Sequence, residues 1–194
     1  MPSLFFSNEK HKDCSFPSVF GMEAQFSESE RGELVEVVDN NDRPLLCMSP
    51  KIALRQRLSI RMVAVALRTR LNRLILRKRH DVRLGYTGRW DMYTGFVLIG
   101  EAREDAALRL LLSDAGLSGL RVSLLSDREE PEEYFSRFTL YVTDLPAELY
   151  PSQPAHEMMT VDADELAGLI RDVPELLCPA LIRAAAAPGL LRDY

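Results

Sequence analysis

GFVLIGEAREDAALRLLLSDAGL, Gly95 to Leu117, is the stretch whose reading decides the fold. Its first part is apolar and extended. The second part, about Ala102 to Ala115, carries Leu108, Leu111, Leu112 and Ala115 at the three-and-four spacing of a helix with one buried stripe. Gly116 then stands where a left-handed cap would end that helix. The spacing therefore predicts a strand, a short loop and one well-defined helix. Upstream, Trp90 to Val97 reads as that strand, and His80 to Arg89, with two glycines, as a loop. Ile60 to Arg68 and Leu74 to Arg79 read as a hairpin. Ser49-Pro50 is an N-cap with proline at the first helical position, which opens a short helix over Lys51 to about Leu58. Arg43 to Met48 returns from Glu33–Val38 through the turn Asp39-Asn40-Asn41-Asp42. Downstream, Arg121 to Leu125, Tyr134 to Thr143 and Glu157 to Val161 read as strands. Asp162 or Asp164 caps a helix ending near Asp172, and Pro174 opens a last helix that reaches the alanine run 184–187. Strands around one central helix with two more at the end predict an α+β domain, a mixed sheet sandwiched between helices.

Residues 1–32 show no period and are read as an N-terminal extension bearing Phe5, Phe6, Phe16, Phe20 and Phe26. Residues 33–194 are read as the folded domain, its terminal helices included. Composition is that of a globular protein, 46% hydrophobic and 27% charged. No apolar run approaches the roughly 18 residues of a membrane span. Three scattered cysteines, Cys14, Cys47 and Cys178, form neither a disulfide framework nor a CxxC site, so a cytoplasmic protein is expected. Charge is unevenly spread. From Lys51 to Arg89 there are twelve Lys or Arg against the single acid Asp81, a charge of +11 that leaves −16 on the rest of a chain whose net charge is −5. Such a dipole can draw phosphates to one face. The first reading is solvated arginines on the outer faces of strands and a helix; a nucleic-acid footprint is the distant alternative, at odds with a pI of about 5.3.

The stretch resembles the Nudix box, G-x5-E-x7-R-E-U-x-E-E-x-G-U with U apolar. Gly95, Glu101, Arg109, Leu111, Gly116 and Leu117 match, without insertion. Asp114 replaces the last glutamate, and Leu110 and Ser113 replace the other two, so the box is degenerate. From about Glu33 to Arg183 the order of elements, with Trp90-Asp91 before the box and His156-Glu157-Met158-Met159 late in the chain, is similar to the isopentenyl-diphosphate-isomerase-like branch of the Nudix hydrolase superfamily. Where that branch carries a His-Arg pair, Ile60-Arg61 stands here.

The resemblance implies a Nudix fold (α/β/α), a phosphate-bearing small molecule as ligand, and Mg²⁺ or Mn²⁺ as cofactor for diphosphate hydrolysis. In the family the box glutamates hold metals that bridge the diphosphate. Hard divalent cations want several oxygen ligands, and positions 110, 113 and 114, three and four apart, share one helix face. Leucine, serine and one short acid there make a poor platform. Glu101 and Asp114 remain as the catalytic candidates, Asp114 as the metal candidate, and Gly95, Arg109 and Gly116 as box scaffold. Arg109 is expected either to pair with Asp105 one turn earlier or to brace the loop. Leu110, beside the core stripe, suggests a cleft covered by the N-terminal extension or by a second subunit, and a homodimer would suit that. Arg61, Arg77 and Arg79 are phosphate-binding candidates, with Arg77 and Arg79 expected on one strand face and Lys78 on the other.

Three functions remain on this reading. The first is a catalytically weak or silent Nudix-fold module that binds a phosphate ligand or regulates. The second is a divergent hydrolase drawing ligands from outside the box, for instance from the acidic run Asp127 to Glu133. The third is a nucleic-acid-binding module. His11, His80 and His156 lack metal spacing. Ser113 has no nucleophile elbow around it, and no P-loop or dinucleotide fingerprint occurs.

Overall fold

The computed structural model describes residues 34–80, 86–129, 135–146, 149 and 157–191. The proposed extension over 1–32 and the phenylalanines in it lie outside these. Among these residues, nine strands and four α-helices follow in order: β1 (Val35–Val38), β2 (Pro44–Met48), α1 (Pro50–Arg55), β3 (Ile60–Arg68), β4 (Leu74–Lys78), β5 (Trp90–Asp91), β6 (Tyr93–Phe96), α2 (Arg103–Ala115), β7 (Ser123–Glu129), β8 (Phe135–Asp144), β9 (Met158–Val161), α3 (Ala163–Asp172) and α4 (Pro179–Ala184).

Strand β3 is the spine. Strand β8 runs parallel to it over its whole length, and its other edge is shared by β1 at Ile60, β6 over Met62–Val65 and β4 at the hairpin end. Strand β4 then carries β5 and β9, and β7 closes beyond β8. Because side chains alternate along a strand, β3 feeds two cores. Ile60, Met62, Ala64 and Ala66 join Ala53 of α1, Leu166 of α3 and Leu181 and Ala184 of α4. Val63, Val65 and Leu67 join Ala106, Leu110, Leu111 and Ala115 of α2. The sheet is thus sandwiched between α2 on one side and α1, α3 and α4 on the other, the α+β sandwich the sequence pattern predicts.

Local signals worked where the chemistry is short-range. Ser49 accepts from the Ile52 N–H with Pro50 in the first turn. Asp162 and Glu165 close a reciprocal capping box at the start of α3. Gly116 ends α2 at φ 68°. Other expectations need correction. The single strand over Trp90–Val97 is two: it breaks at Met92, β5 pairing with β4 and β6 with β3. The strand expected over Arg121 to Leu125 is β7, Ser123–Glu129, and so takes in the start of the acidic run, Asp127 to Glu129. Pro174 opens only a 3-10 turn, Pro174–Leu176; the last helix starts at Pro179 and stops at Ala184. The burial of α2 is also rotated from the expected stripe. Leu110 and Leu111 are buried while Leu112 is 57% exposed.

Candidate functional site

The box loop and the helix that follows it hold together as a braced unit. The Arg109 guanidinium donates to both Glu101 oxygens, at 2.7 and 2.9 Å, and to the Phe96 carbonyl at 2.8 Å. The Leu98 N–H adds a hydrogen bond to Glu101 at 3.0 Å. Burial pushes the Glu101 carboxyl up, but these donors and the Arg109 charge outweigh it and hold the group below its ordinary value. Arg109 therefore takes the loop-bracing option, with Glu101 rather than Asp105 as its partner. Both oxygens of Glu101 are committed to scaffold.

Further along the helix, Leu110 and Asp114 face β6 and β4, while Ser113 is exposed. Leu110 is 5% exposed and lies directly over Gly95: a Cβ built at Gly95 would come within 2.5 Å of Leu110 Cδ2. The leucine is part of the α2-side core, packed between α2 and β6. The Ser113 hydroxyl donates to Asp114 Oδ1 at 2.6 Å. Asp114 Oδ2 accepts from Arg77 at 2.5 Å. The Arg77 guanidinium in turn lies over the Tyr93 ring, 5.0 Å from its centroid. Tyr93 is wholly buried, and burial pushes its phenol up to about 12 against the pull of the Arg77 charge. Among the described residues, two buried polar atoms here, Arg77 Nε and Tyr93 Oη, have no protein hydrogen-bond partner.

The other two candidate arginines lie elsewhere. Arg61 is bound by Glu36 and by Asp42, whose side chain it meets at 2.8 Å and whose carbonyl it meets at 2.7 Å. Arg103, at the start of α2, links the same Asp42 to Asp127, which also accepts from Thr139. Arg79 engages Asp91 and Thr94, and Thr94 also donates to Asp91 at 2.6 Å. Arg77 and Arg79 thus do not share a face in the way alternation predicts: Arg79 lies past the end of β4, and Thr94 belongs to the opposite side of β6 from Tyr93. Lys78 instead sits over Trp90. Near Asp91, burial and that carboxylate push the Cys178 thiol up to about 12, which leaves it an inert thiol. His80 approaches Glu157 at 3.1 Å, while His11, His156 and Glu130 to Glu133 lie outside the described residues. Sequence reasoning missed Tyr93, Asp91 and the Arg77–Asp114 pairing. Only Tyr93 left a signal, since it stands two residues before Gly95 and so faces the same helix.

Mg²⁺ or Mn²⁺ needs several oxygen ligands and net negative charge. Among the described residues, no three His, Cys, Asp or Glu are grouped to hold such an ion. At the box itself the donor set is a buried leucine, a hydroxyl and one carboxylate already neutralised by a guanidinium. That set does not fit a divalent cation. No helix of the described residues is long and apolar enough to cross a membrane.

No protein-family model matches the chain, and no curated protein matches it. Among solved structures, the fold is similar to the crystal structure of DR0079 from Deinococcus radiodurans, with TM-score 0.64 and 17% identity over 79% of this chain and 97% of that one. It is similar also to a mutT/nudix family protein from Listeria innocua, with TM-score 0.50 and 19% identity over 65% and 88% of the two chains. At such identities the likeness shows the fold, which is the Nudix fold, and fold alone does not assign chemistry.

Proposed function

On this Nudix fold, we propose that the chain is a catalytically weak or silent module that binds a phosphate-bearing ligand without a metal. The observation that carries the first half is Leu110. At the box position where a carboxylate would stand, a leucine packs against Gly95 inside the core. The remaining carboxylate, Asp114, is held by Arg77 and Ser113. Two missing ligands remove both coordination and charge, and displacement of catalytic groups by about 1 Å already reduces rates on the order of 100-fold.

The ligand half rests on Arg77 and Tyr93. Each has a buried polar hydrogen with no protein acceptor among the described residues, and a buried donor without a partner is costly unless something polar meets it. A phosphate oxygen is an acceptor of the right kind, and a guanidinium is well suited to it. Arg61 and Arg79, enclosed by carboxylates, are the weaker members of the candidate set.

The test of silence is a panel of nucleoside-diphosphate compounds incubated with purified protein and Mg²⁺ or Mn²⁺, with phosphate release measured. The expected result is no release above the protein-free control. Turnover that Asp114→Asn erases would overturn the reading and favour a divergent hydrolase. Binding is tested by titrating inorganic pyrophosphate calorimetrically in the presence of a chelator. Saturable heat that weakens in Arg77→Gln is expected, and none at millimolar pyrophosphate would remove the ligand half.

A further inference from the structure

We infer that Arg77 is the resident cation of the degenerate box: its guanidinium fills the charge role beside Asp114 that a divalent ion would otherwise fill, and so keeps such ions out. The inference rests on the reading of the box as metal-free and says what maintains that state. Three observations converge on it. Arg77 reaches α2 from β4, thirty-seven residues earlier in the chain, and meets Asp114 at 2.5 Å, with the arginine buried and the aspartate partly exposed. Its position is fixed from beneath by the wholly buried Tyr93 ring, a contact in which the ring face attracts positive charge. Ser113 donates to the other Asp114 oxygen, so both oxygens of that carboxylate already receive donors from the protein.

A metal ion approaching Asp114 would have to displace a desolvated, geometrically fixed guanidinium or sit beside it, and like charges a few ångströms apart in a low-dielectric setting repel strongly. Arg77 therefore acts as a lock that is independent of the missing glutamates. Supplying a carboxylate at position 113 alone does not restore metal affinity while the guanidinium stays. This separates two reasons for a metal-free box, too few ligands and an occupied counter-charge, which the sequence of the box cannot distinguish.

The experiment is Mn²⁺ binding, followed by the loss of the free-ion electron paramagnetic resonance signal, in four proteins: the unsubstituted chain, Ser113→Glu, Ser113→Glu with Arg77→Gln, and Ser113→Glu with Arg77→Lys. Circular dichroism and the fluorescence of the single tryptophan, Trp90, check that each is folded. The expected order is no retention by the unsubstituted chain, little by Ser113→Glu, and binding at least about tenfold tighter than Ser113→Glu once Arg77 is glutamine. The lysine variant, which keeps the charge but not the fork, should stay near Ser113→Glu.

Equal binding by Ser113→Glu with and without Arg77 sinks the inference, as does no binding by the folded Arg77→Gln variant, or a gain in the lysine variant as large as in the glutamine one. Tight Mn²⁺ binding by the unsubstituted chain would sink the metal-free reading itself as well. Should Arg77→Gln not fold, Arg77→Met, whose stem still covers Tyr93, takes its place with the same expected order.

Discussion

Leu110 and Gly95 form a pair in which each residue's size is set by the other. Deleting most of a buried leucine removes its transfer energy and leaves a cavity, so Leu110→Ala should destabilise the fold by about 2–5 kcal/mol, read from urea unfolding. Gly95→Ala should cost about 1–3 kcal/mol through overpacking, because its new methyl meets Leu110 Cδ2. The double variant should cost less than the sum of the two, since the alanine at 110 makes room for the methyl at 95. Strict additivity would mean that the two side chains do not share that space. Glu101 gives a residue-scale prediction with a sign. Its folded carboxyl is held below the ordinary value of 4.5, so its stabilising effect is fully present above that pH and is lost as pH falls through the lowered folded value. The stability gap between the native chain and Glu101→Gln should therefore be widest near neutrality and close in acid. A gap that widens on acidification would contradict the bracing by Arg109.

Among the elements, α3 shows how far a local motif reaches. Asp162 caps the helix through the Glu165 N–H, and both acids also receive Arg73, which extends from the β3–β4 turn and donates to the Thr160 carbonyl as well. Asp162→Ala should cost about 1–2 kcal/mol, and Asp162→Asn, which keeps a capping oxygen, should recover most of that in the same denaturation assay. The cap was legible as one of two residues, Asp162 or Asp164, and Ser49-Pro50, the Gly116 stop and the whole of β3 were legible outright, because each is written within a few residues. The break at Met92 was not, since it arises from β5 and β6 taking different partners, which no local pattern records. The helix stripe was misread by one position for a similar reason. Spacing gives a family of possible faces on α2, and the glycine on β6 that admits Leu110 selects among them. At the site, a loop-bracing role for Arg109 followed from the resemblance to the box but its partner Glu101 did not, and Arg77 with Asp114 depends on how β4 passes α2 in space. That is why the decisive electrostatic contact was invisible although both of its residues had been singled out.

The charge layout of the whole molecule changes meaning once the chain is folded. At least five of the twelve cations between Lys51 and Arg89 have acidic partners from outside that segment: Arg61 with Glu36 and Asp42, Arg68 with Asp144, Arg73 with Asp162 and Glu165, Arg77 with Asp114, and Arg79 with Asp91. Part of the sequence dipole is thus an internal network that fastens the β3–β4 hairpin to β1, α2, β8 and α3. Pairing at this density weakens the case for nucleic-acid binding, because affinity for a polyanion depends on cations free to replace its counterions. The protein should therefore leave an immobilised RNA or heparin column at or below about 0.15 M NaCl, where the screening length is about 8 Å. Fluorescence anisotropy with a labelled single-stranded RNA should show no saturable binding at that salt. Retention to several-fold higher salt, with a steep fall in affinity as salt rises, would show that enough of the remaining cations, Lys51, Arg55, Lys78 and Arg89 among them, act together on one surface, and the balance would move from a small phosphate ligand at the box to a polyanion on the hairpin side.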